Sequence, residues 1–142
     1  MALFNFMIKK IDHIGILVHD MDEAMEKYAQ AFKLKTQHVE INDEFKVKIC
    51  FIPVGEVLVE FIEPTERGSK FDLILQEKGE TVHHIAYRVD NIDEAVKHLR
   101  NMNIGLQQDE PTSGGAGSRI IFVDPADTNN IEVELVERTA DL

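Results

Sequence analysis

The sequence repeats itself once. Residues 11–25, IDHIGILVHDMDEAM, align with residues 82–96, VHHIAYRVDNIDEAV, at an offset of 71 residues, half the length of the 142-residue chain. Two further pairs of segments resemble each other in the same order: ICFIPV (49–54) with IIFVDP (120–125), and VEFIE (59–63) with VELVE (133–137). Self-similarity in register indicates a duplicated structural unit, so both copies are expected to fold in the same way.

Each copy is predicted to form a strand, a helix and three further strands. In the first copy, alternating side chains predict a strand over residues 9–18, and Asp20 followed by Glu23 resembles a capping box that begins a helix. Further strands are expected near residues 35–41, 45–54 and 57–63. The second copy repeats this order, with a strand at 81–89, a helix at 92–102 capped by Asn91, and strands near 104–109, 118–124 and 130–137.

Together the two copies predict one α+β domain built from two βαβββ modules. The domain spans residues 1–142, with module one at about 8–63, a linker at 64–80 and module two at about 81–137. Within the linker, Ser69 is placed to cap a short helix. A chain of this length can bury a core of its own as a single domain.

Composition argues against several partners and compartments. A net charge of −11 disfavours nucleic acid and an anionic membrane surface as partners. No apolar run reaches the roughly 18 residues that a membrane-spanning helix needs. The N-terminal MALFNFMIKK has its lysines after its apolar residues, the wrong order for a signal peptide. Cys50 is the only cysteine, which excludes an intrachain disulfide, and we therefore expect a cytoplasmic protein.

Strand alternation places four side chains that can bind metal on one face of the sheet. On the first strand, His13 shares a face with Gly15, whereas the opposite face is more continuously apolar and should pack beneath the helix. The repeat puts His84 at the same position of its own strand. On the last strand of each copy, Glu60 and Glu134 lie between core residues and therefore point to the histidine face.

Two imidazoles and two carboxylates on that face predict a metal site formed by His13, Glu60, His84 and Glu134. A single strand histidine or glutamate is more often a hydrogen-bonded or solvent-facing residue, but burying two carboxylates without a cation is costly. A divalent metal removes that cost. Two nitrogen and two oxygen ligands suit Co, Ni, Mn, Fe(II) or Zn and do not distinguish among them. His83 competes with His84, and the register of the repeat favours His84.

The motifs IDHIGI, VEFIEP, HHIAYRV and VELVE resemble those of the vicinal oxygen chelate superfamily, the group of glyoxalases and bleomycin resistance proteins. Within it, the run from IDHIGI to DEPTSGGAG is similar to the methylmalonyl-CoA epimerases over nearly the whole chain. The resemblance implies a curved sheet around a metal site, cobalt as the favoured metal, and a homodimer. It also implies that the matching positions are the ligands, namely His13, Glu60, His84 and Glu134.

This family implies an isomerase that moves the C2 proton of an acyl-CoA thioester of the methylmalonyl type through a metal-stabilised enolate. The proton leaves from one face and returns on the other, so two acid/base groups are expected. Glu134 is the candidate for one face. Lys48 is a candidate for the other, because it alternates with Val47 and Ile49 and should face the cavity. Alternatively, Lys48 only offsets the carboxylates or binds the carboxylate of the substrate.

Two more residues are candidates for roles near the substrate. Arg119 lies 71 residues after Lys48 and is expected either to bind substrate or to be an ordinary surface arginine. Glu132 shares the face of Glu134 and is a weaker candidate for the second acid/base group.

Other functions within the superfamily make different demands. A glyoxalase I-type lactoylglutathione lyase can use the same four ligands, but the bacterial type has an arginine four residues after the first histidine, where this chain has Leu17. A ring-cleaving dioxygenase would use two histidines and one carboxylate, and the presence of both Glu60 and Glu134 speaks against it. A non-enzymatic member that binds small molecules would need no such ligand set.

Overall fold

The structure, a computed structural model, describes residues 7–140 and has eight strands and three α-helices in that range. The first six elements are β1 (Ile8–Leu17), α1 (Met21–Phe32), β2 (His38–Asn42), β3 (Val47–Val54), β4 (Val57–Pro64) and α2 (Lys70–Lys78). The other five are β5 (Thr81–Val89), α3 (Ile92–Asn101), β6 (Thr112–Ser113), β7 (Arg119–Phe122) and β8 (Val133–Glu137). The α+β class and the βαβββ order of each copy are confirmed.

The described chain divides into two compact units. The N-terminal unit comprises residues 13–84, and the C-terminal unit comprises residues 7–12 and 85–140, so both boundaries fall inside strands, in β1 and β5. In the N-terminal unit the strands are ordered β2-β3-β4-β1, with β1 parallel to β4 and the other pairs antiparallel. The C-terminal unit repeats this order as β6-β7-β8-β5, with β5 parallel to β8.

Helix α1 covers one face of the sheet in the N-terminal unit. Asp20 caps the helix, because its Oδ1 accepts a hydrogen bond from the backbone N–H of Glu23 at 3.1 Å. Glu63 on β4 accepts a second one from the backbone N–H of Met21 at 2.9 Å. This helix face is held by a buried cluster of Val18, Met21, Cys50, Ile52 and Phe61. We call the opposite side of the sheet the site face.

The C-terminal unit repeats both the caps and the core. Asn91 caps α3 by accepting from the backbone N–H of Glu94 at 3.1 Å, and Glu137 on β8 accepts from that of Ile92 at 2.8 Å. The core beneath α3 consists of Val89, Ile92, Ala95, Val96, Ile121 and Leu135. The duplication seen in the sequence therefore extends to the hydrogen bonds that begin each long helix.

A buried ion cluster fixes the start of β1 within the C-terminal unit. Arg138 donates from Nε and Nη2 to the two carboxylate oxygens of Asp12 at 2.9 and 3.0 Å, and Arg88 donates to Asp12 at 2.7 Å. Arg138 also donates to the carbonyl of Gly115 at 2.9 Å, which ties down the loop between β6 and β7. Because both the Asp12 and Arg138 side chains are buried, removing either would strand a charge, at a cost of about 3–5 kcal/mol.

One predicted strand is wrong and one predicted helix is confirmed. In place of a strand at 104–109 the structure has a single bridge at Leu106, because the backbone of Gly105 bonds to Asp124 and Asp127 in the following turn. Helix α2 begins where expected, with Ser69 accepting from the backbone N–H of Asp72.

Other expectations rest on the sequence alone. Among residues 7–140 no helix is both long and apolar enough to cross a membrane. The single domain with modules at 8–63 and 81–137, the homodimer and the cytoplasmic location stay predictions.

The Cys50 thiol should be unreactive in the folded protein. Burial raises the pKa of Cys50 to about 11, so the nucleophilic thiolate is scarce at neutral pH and the sulfur is also inaccessible. With a thiol-specific disulfide reagent at pH 8, we expect labelling only as fast as the protein unfolds, and immediate labelling in denaturant. Rapid labelling of the native protein would contradict this packing.

Candidate metal centre

Three potential ligands meet inside the N-terminal unit. His13 lies on β1, Glu60 on β4 and His84 near the middle of β5, and their exposed fractions are 2%, 6% and 3%. The Nε2 atoms of the two histidines are 3.0 Å apart. Glu60 Oε1 lies 3.6 Å from His13 Nε2 and 3.4 Å from His84 Nε2.

These spacings fit a single transition metal ion. Nitrogen and oxygen ligands sit roughly 2.0–2.2 Å from such an ion, which puts neighbouring ligand atoms about 3.0–3.4 Å apart. The two imidazole nitrogens and the carboxylate oxygen nearly match that spacing. The site also offers its cation a buried negative charge, which would be costly to keep unneutralised.

Strand register brings the glutamate and the histidines together. In the parallel pair of β1 and β4, Gly15 is the Cα partner of Glu60, and on the other side of β4 the partner of Glu60 is Phe51. The edge of the Phe51 ring packs against His13, with ring centroids 5.7 Å apart. Phe51 is completely buried, so it forms an apolar wall beside the ligands.

Gly15 is required by the ring of His84. A Cβ atom at Gly15 would lie 2.6 Å from Nδ1 and 2.7 Å from Nε2 of His84, and closer still to Cε1. Side-chain carbons essentially never approach other atoms so closely, so any larger residue must displace the imidazole. The absence of a side chain at Gly15 therefore leaves the space that the His84 ring occupies.

His83 determines which nitrogen of His84 is available. The Nδ1 atoms of the two rings are 2.8 Å apart. Burial, with smaller contributions from His84, Lys70 and Lys78, lowers the pKa of His83 to about 3, so His83 is neutral and its Nδ1 can accept a hydrogen bond. With Nε2 as the metal-binding atom, His84 would carry its proton on Nδ1 and donate it to His83, the kind of hydrogen bond that metal-binding histidines usually make.

Glu134 occupies the corresponding position of the C-terminal unit. It is 4% exposed, and its Cα partners are Ala86 on β5 and Phe122 on β7. Ala86 follows His84 by two residues, just as Gly15 follows His13, so the pairing of Glu134 repeats that of Glu60 with Gly15. A ligand role for Glu134 stays a prediction, supported by this repeated register.

Lys48 does not point where the sequence predicted. Phe51, the partner of Glu60, marks the site face of β3, and alternation places Lys48 with Cys50 on the helix face. The predicted orientation of Lys48 toward the cavity is therefore wrong. An acid/base role for Lys48 stays untested, and this orientation disfavours it.

Arg119 is engaged on the surface of the C-terminal unit. Its Nη1 and Nη2 donate to the carboxylate of Asp93 at 2.9 and 3.0 Å, and Nη1 lies 3.7 Å from Glu137. The hydrogen bonds from Arg119 hold the pKa of Asp93 below its usual value. Arg119 shares its face of β7 with Ile121, which is in the core beneath α3. These contacts favour the surface alternative over the substrate-binding one.

The Glu132 side chain is hydrogen-bonded to Gln107. Its Oε2 accepts a hydrogen bond from the side-chain amide of Gln107 at 2.8 Å, and the same amide donates to the carbonyl of Val123. Glu132 therefore serves as a partner for the loop before β6, which weakens its candidacy as an acid/base group.

Replacing Gly15 with alanine should displace His84. Overpacking at Gly15→Ala is expected to lower the free energy of unfolding by roughly 1–3 kcal/mol, measured by urea denaturation. The matched control is Gly15→Ala combined with His84→Ala, in which the clashing ring is absent. The alanine at position 15 should then cost much less than it does beside His84. If Gly15→Ala lowered the free energy of unfolding equally with and without the His84 ring, the ring would not occupy the space at Gly15.

The comparisons with known proteins agree with this architecture. A family model described as the Glyoxalase/Bleomycin resistance protein/Dioxygenase superfamily matches residues 12–122. The uncharacterized protein YqjC of Bacillus subtilis is 34% identical over 94% of this chain and 96% of its own length. The mitochondrial methylmalonyl-CoA epimerase of Homo sapiens is 30% identical over 89% of this chain and 72% of its own length.

A solved structure gives the same result. A variant of the methylmalonyl-CoA epimerase of Streptomyces coelicolor, in complex with 2-nitronate-propionyl-CoA, has a TM-score of 0.90 at 33% identity and covers 94% of this chain and 96% of its own. Epimerases are isomerases, so at the level of its relatives the predicted enzyme class is confirmed. The match of the family model and of the structure confirms the predicted family: the chain belongs to the glyoxalase/bleomycin resistance protein/dioxygenase superfamily.

Proposed function

We propose that this protein is a metal-dependent epimerase that moves the C2 proton of an acyl-CoA of the methylmalonyl type. The observation that carries the proposal is the buried set of His13, Glu60 and His84, whose ligand atoms lie within 3.6 Å of one another. Relatives of known activity support the same reaction, because they are epimerases of methylmalonyl-CoA.

The residues that would hold the metal are His13, Glu60 and His84, with Glu134 proposed as the fourth ligand from the repeated register. When bound, a divalent cation, for which cobalt is our first choice, would act as a Lewis acid on the oxygens of the substrate and make its C2 proton more acidic. His83 would contribute indirectly, because its Nδ1 can accept the Nδ1 proton of His84 and leave Nε2 for the metal.

The chain must also move a proton. Epimerisation breaks the C2–H bond on one face and forms it again on the other, with no net change in composition, so each face needs an acid/base group. We propose Glu134 for one face, because a carboxylate accepts the proton in one direction and returns it in the other. Phe51 excludes water beside His13, which protects the carbanionic species from uncontrolled protonation.

The lactoylglutathione lyase alternative is disfavoured by the end of β1. Leu17 stands where the arginine that holds glutathione would be expected, and it is buried and apolar. A metal-free binding protein is disfavoured by Glu60, because a buried carboxylate facing two imidazoles is costly to keep without a cation.

Exchange of the C2 proton in heavy water tests the proposal directly. The protein is stripped with chelator, refilled with Co²⁺ and incubated with methylmalonyl-CoA, and deuterium uptake is followed by mass spectrometry. We expect uptake only in the refilled sample, because the apo protein lacks the Lewis acid. No uptake with Co²⁺ demonstrably bound would keep the metal site and reject the epimerase.

Glu134→Ala should abolish turnover and weaken metal binding. Loss of the proposed fourth ligand, which is also one acid/base group, is expected to reduce kcat by at least about 10²-fold. Titration with Co²⁺ should show weaker binding. Glu110→Ala, at an exposed position of the C-terminal unit, is the matched control and should behave as the unchanged protein. A Glu134→Ala protein that kept both turnover and metal affinity would show that the site is assigned wrongly.

A further inference from the structure

We propose that His38, oriented by Glu40, is the acid/base group for the second face of the substrate. The inference rests on the proposed epimerase function and names the group that its two-sided proton transfer still needs. Both residues lie on β2, the edge strand of the N-terminal unit, and neither was singled out by the sequence motifs.

Register places His38 in line with the metal site. His38 pairs with Phe51 of β3, Phe51 pairs with Glu60 of β4, and Glu60 pairs with Gly15 of β1. These four residues form one row across the sheet, so their side chains project from the same face. His38 is two strands from Glu60, or roughly 10 Å between Cα atoms.

The ring of Phe51 lies between the rings of His13 and His38 and contacts both. The edge of its ring contacts His13, with centroids 5.7 Å apart, and its face stacks on the ring of His38 at 6.3 Å with an interplanar angle of 27°. Phe51 is completely buried, whereas the His38 side chain is 36% exposed. His38 therefore borders the site from the side that a substrate can reach.

Glu40 holds the imidazole of His38 in one orientation. Glu40 Oε1 lies 2.8 Å from His38 Nε2, and the carboxylate, which only accepts, receives the Nε2–H. The Nδ1 of His38 then keeps its lone pair. A base whose far nitrogen is held by a carboxylate is the arrangement by which proteins orient a catalytic histidine.

The other acid/base residues of this sheet are accounted for. Among the other titratable strand residues of the N-terminal unit, Lys48, Cys50 and Glu63 lie on the helix face. His83 is paired with His84 through the Nδ1 atoms of the two rings. On the site face, alternation leaves His13, Glu60 and His84, which we assign to the metal, and the pair on β2. His38 and Glu40 are therefore the groups through which this unit can serve the second face.

The proton transfer balances without a further reactant. From one epimer, neutral His38 takes the C2 proton through Nδ1, and the electron pair of the C–H bond moves onto the thioester oxygen. The pair returns to C2 as protonated Glu134 donates from the opposite face. His38 ends as imidazolium, stabilised by Glu40, and Glu134 ends as carboxylate; the other epimer runs the reverse course. Exchange with solvent resets the two groups.

The test measures proton transfer on each face of C2 separately. His38→Gln cannot act as an acid or base, and His19→Gln, at an exposed position outside the row, is the matched control. Both Co²⁺-loaded proteins are given each pure epimer of methylmalonyl-CoA in heavy water. For His38→Gln we expect interconversion at least about 10²-fold slower, unchanged Co²⁺ affinity, and deuterium exchange that persists for one epimer only, with retention of configuration.

Glu40→Gln tests the orienting role. It is expected to lower kcat by a smaller factor than His38→Gln and to leave KM unchanged, since Glu40 acts through His38. Interconversion by His38→Gln within a few-fold of the unchanged protein, or equal loss of exchange for both epimers, would overturn the inference. Absence of exchange in the unchanged protein, with Co²⁺ bound, would instead reject the epimerase itself and this inference with it.

Discussion

The Glu60 carboxylate is buried between two imidazole nitrogens, and the surrounding structure is arranged around the cost of that burial. A carboxylate removed from water needs a cation or strong hydrogen-bond donors. The Nε2 atoms of His13 and His84 lie 3.6 and 3.4 Å from Glu60, and their lone pairs could bind a cation that neutralises it. The arrangement is held by backbone register rather than by flexible side chains. The parallel pairing of β1 with β4 sets Gly15 beside Glu60, and the empty space at Gly15 admits the His84 ring.

Duplication gives the two units the same helix caps and the same strand register. The N-terminal helix of each unit starts in the same way, with a side-chain cap from Asp20 or Asn91 and a carboxylate from the end of the fourth strand of the copy. The register that pairs Gly15 with Glu60 recurs as the pairing of Ala86 with Glu134. The copies differ where function requires it, because Gly15 must admit a ring and the C-terminal unit has a buried ion cluster around Asp12.

Alternation predicted the site only where the two faces of a strand differ in polarity. On β1 and β4, apolar residues on one side fixed the phase, and His13 and Glu60 were placed correctly. On β3 the segment VKICFIPV has buried apolar residues on both faces. The sequence therefore did not show which face each residue takes, and Lys48 was assigned to the wrong side. Arg119 was singled out by its offset from Lys48, and its partner Asp93 is brought close only by tertiary folding. His83 was visible only as a competitor of His84, because its hydrogen bond depends on ring orientation.

The three potential ligands of the N-terminal unit also lie far apart along the chain. His13 and His84 are 71 residues apart and stand at its two ends, with Glu60 between them. Any ion that joins them closes nearly the whole unit into a loop, and for a permanent cross-link of that span the chain-entropy model gives about 4 kcal/mol. The denatured chain cannot present these atoms together, so occupancy and folding are thermodynamically linked. A metal bound as proposed would therefore act as a cross-link within this unit, and the metal supply in the cell would influence how long the folded chain survives.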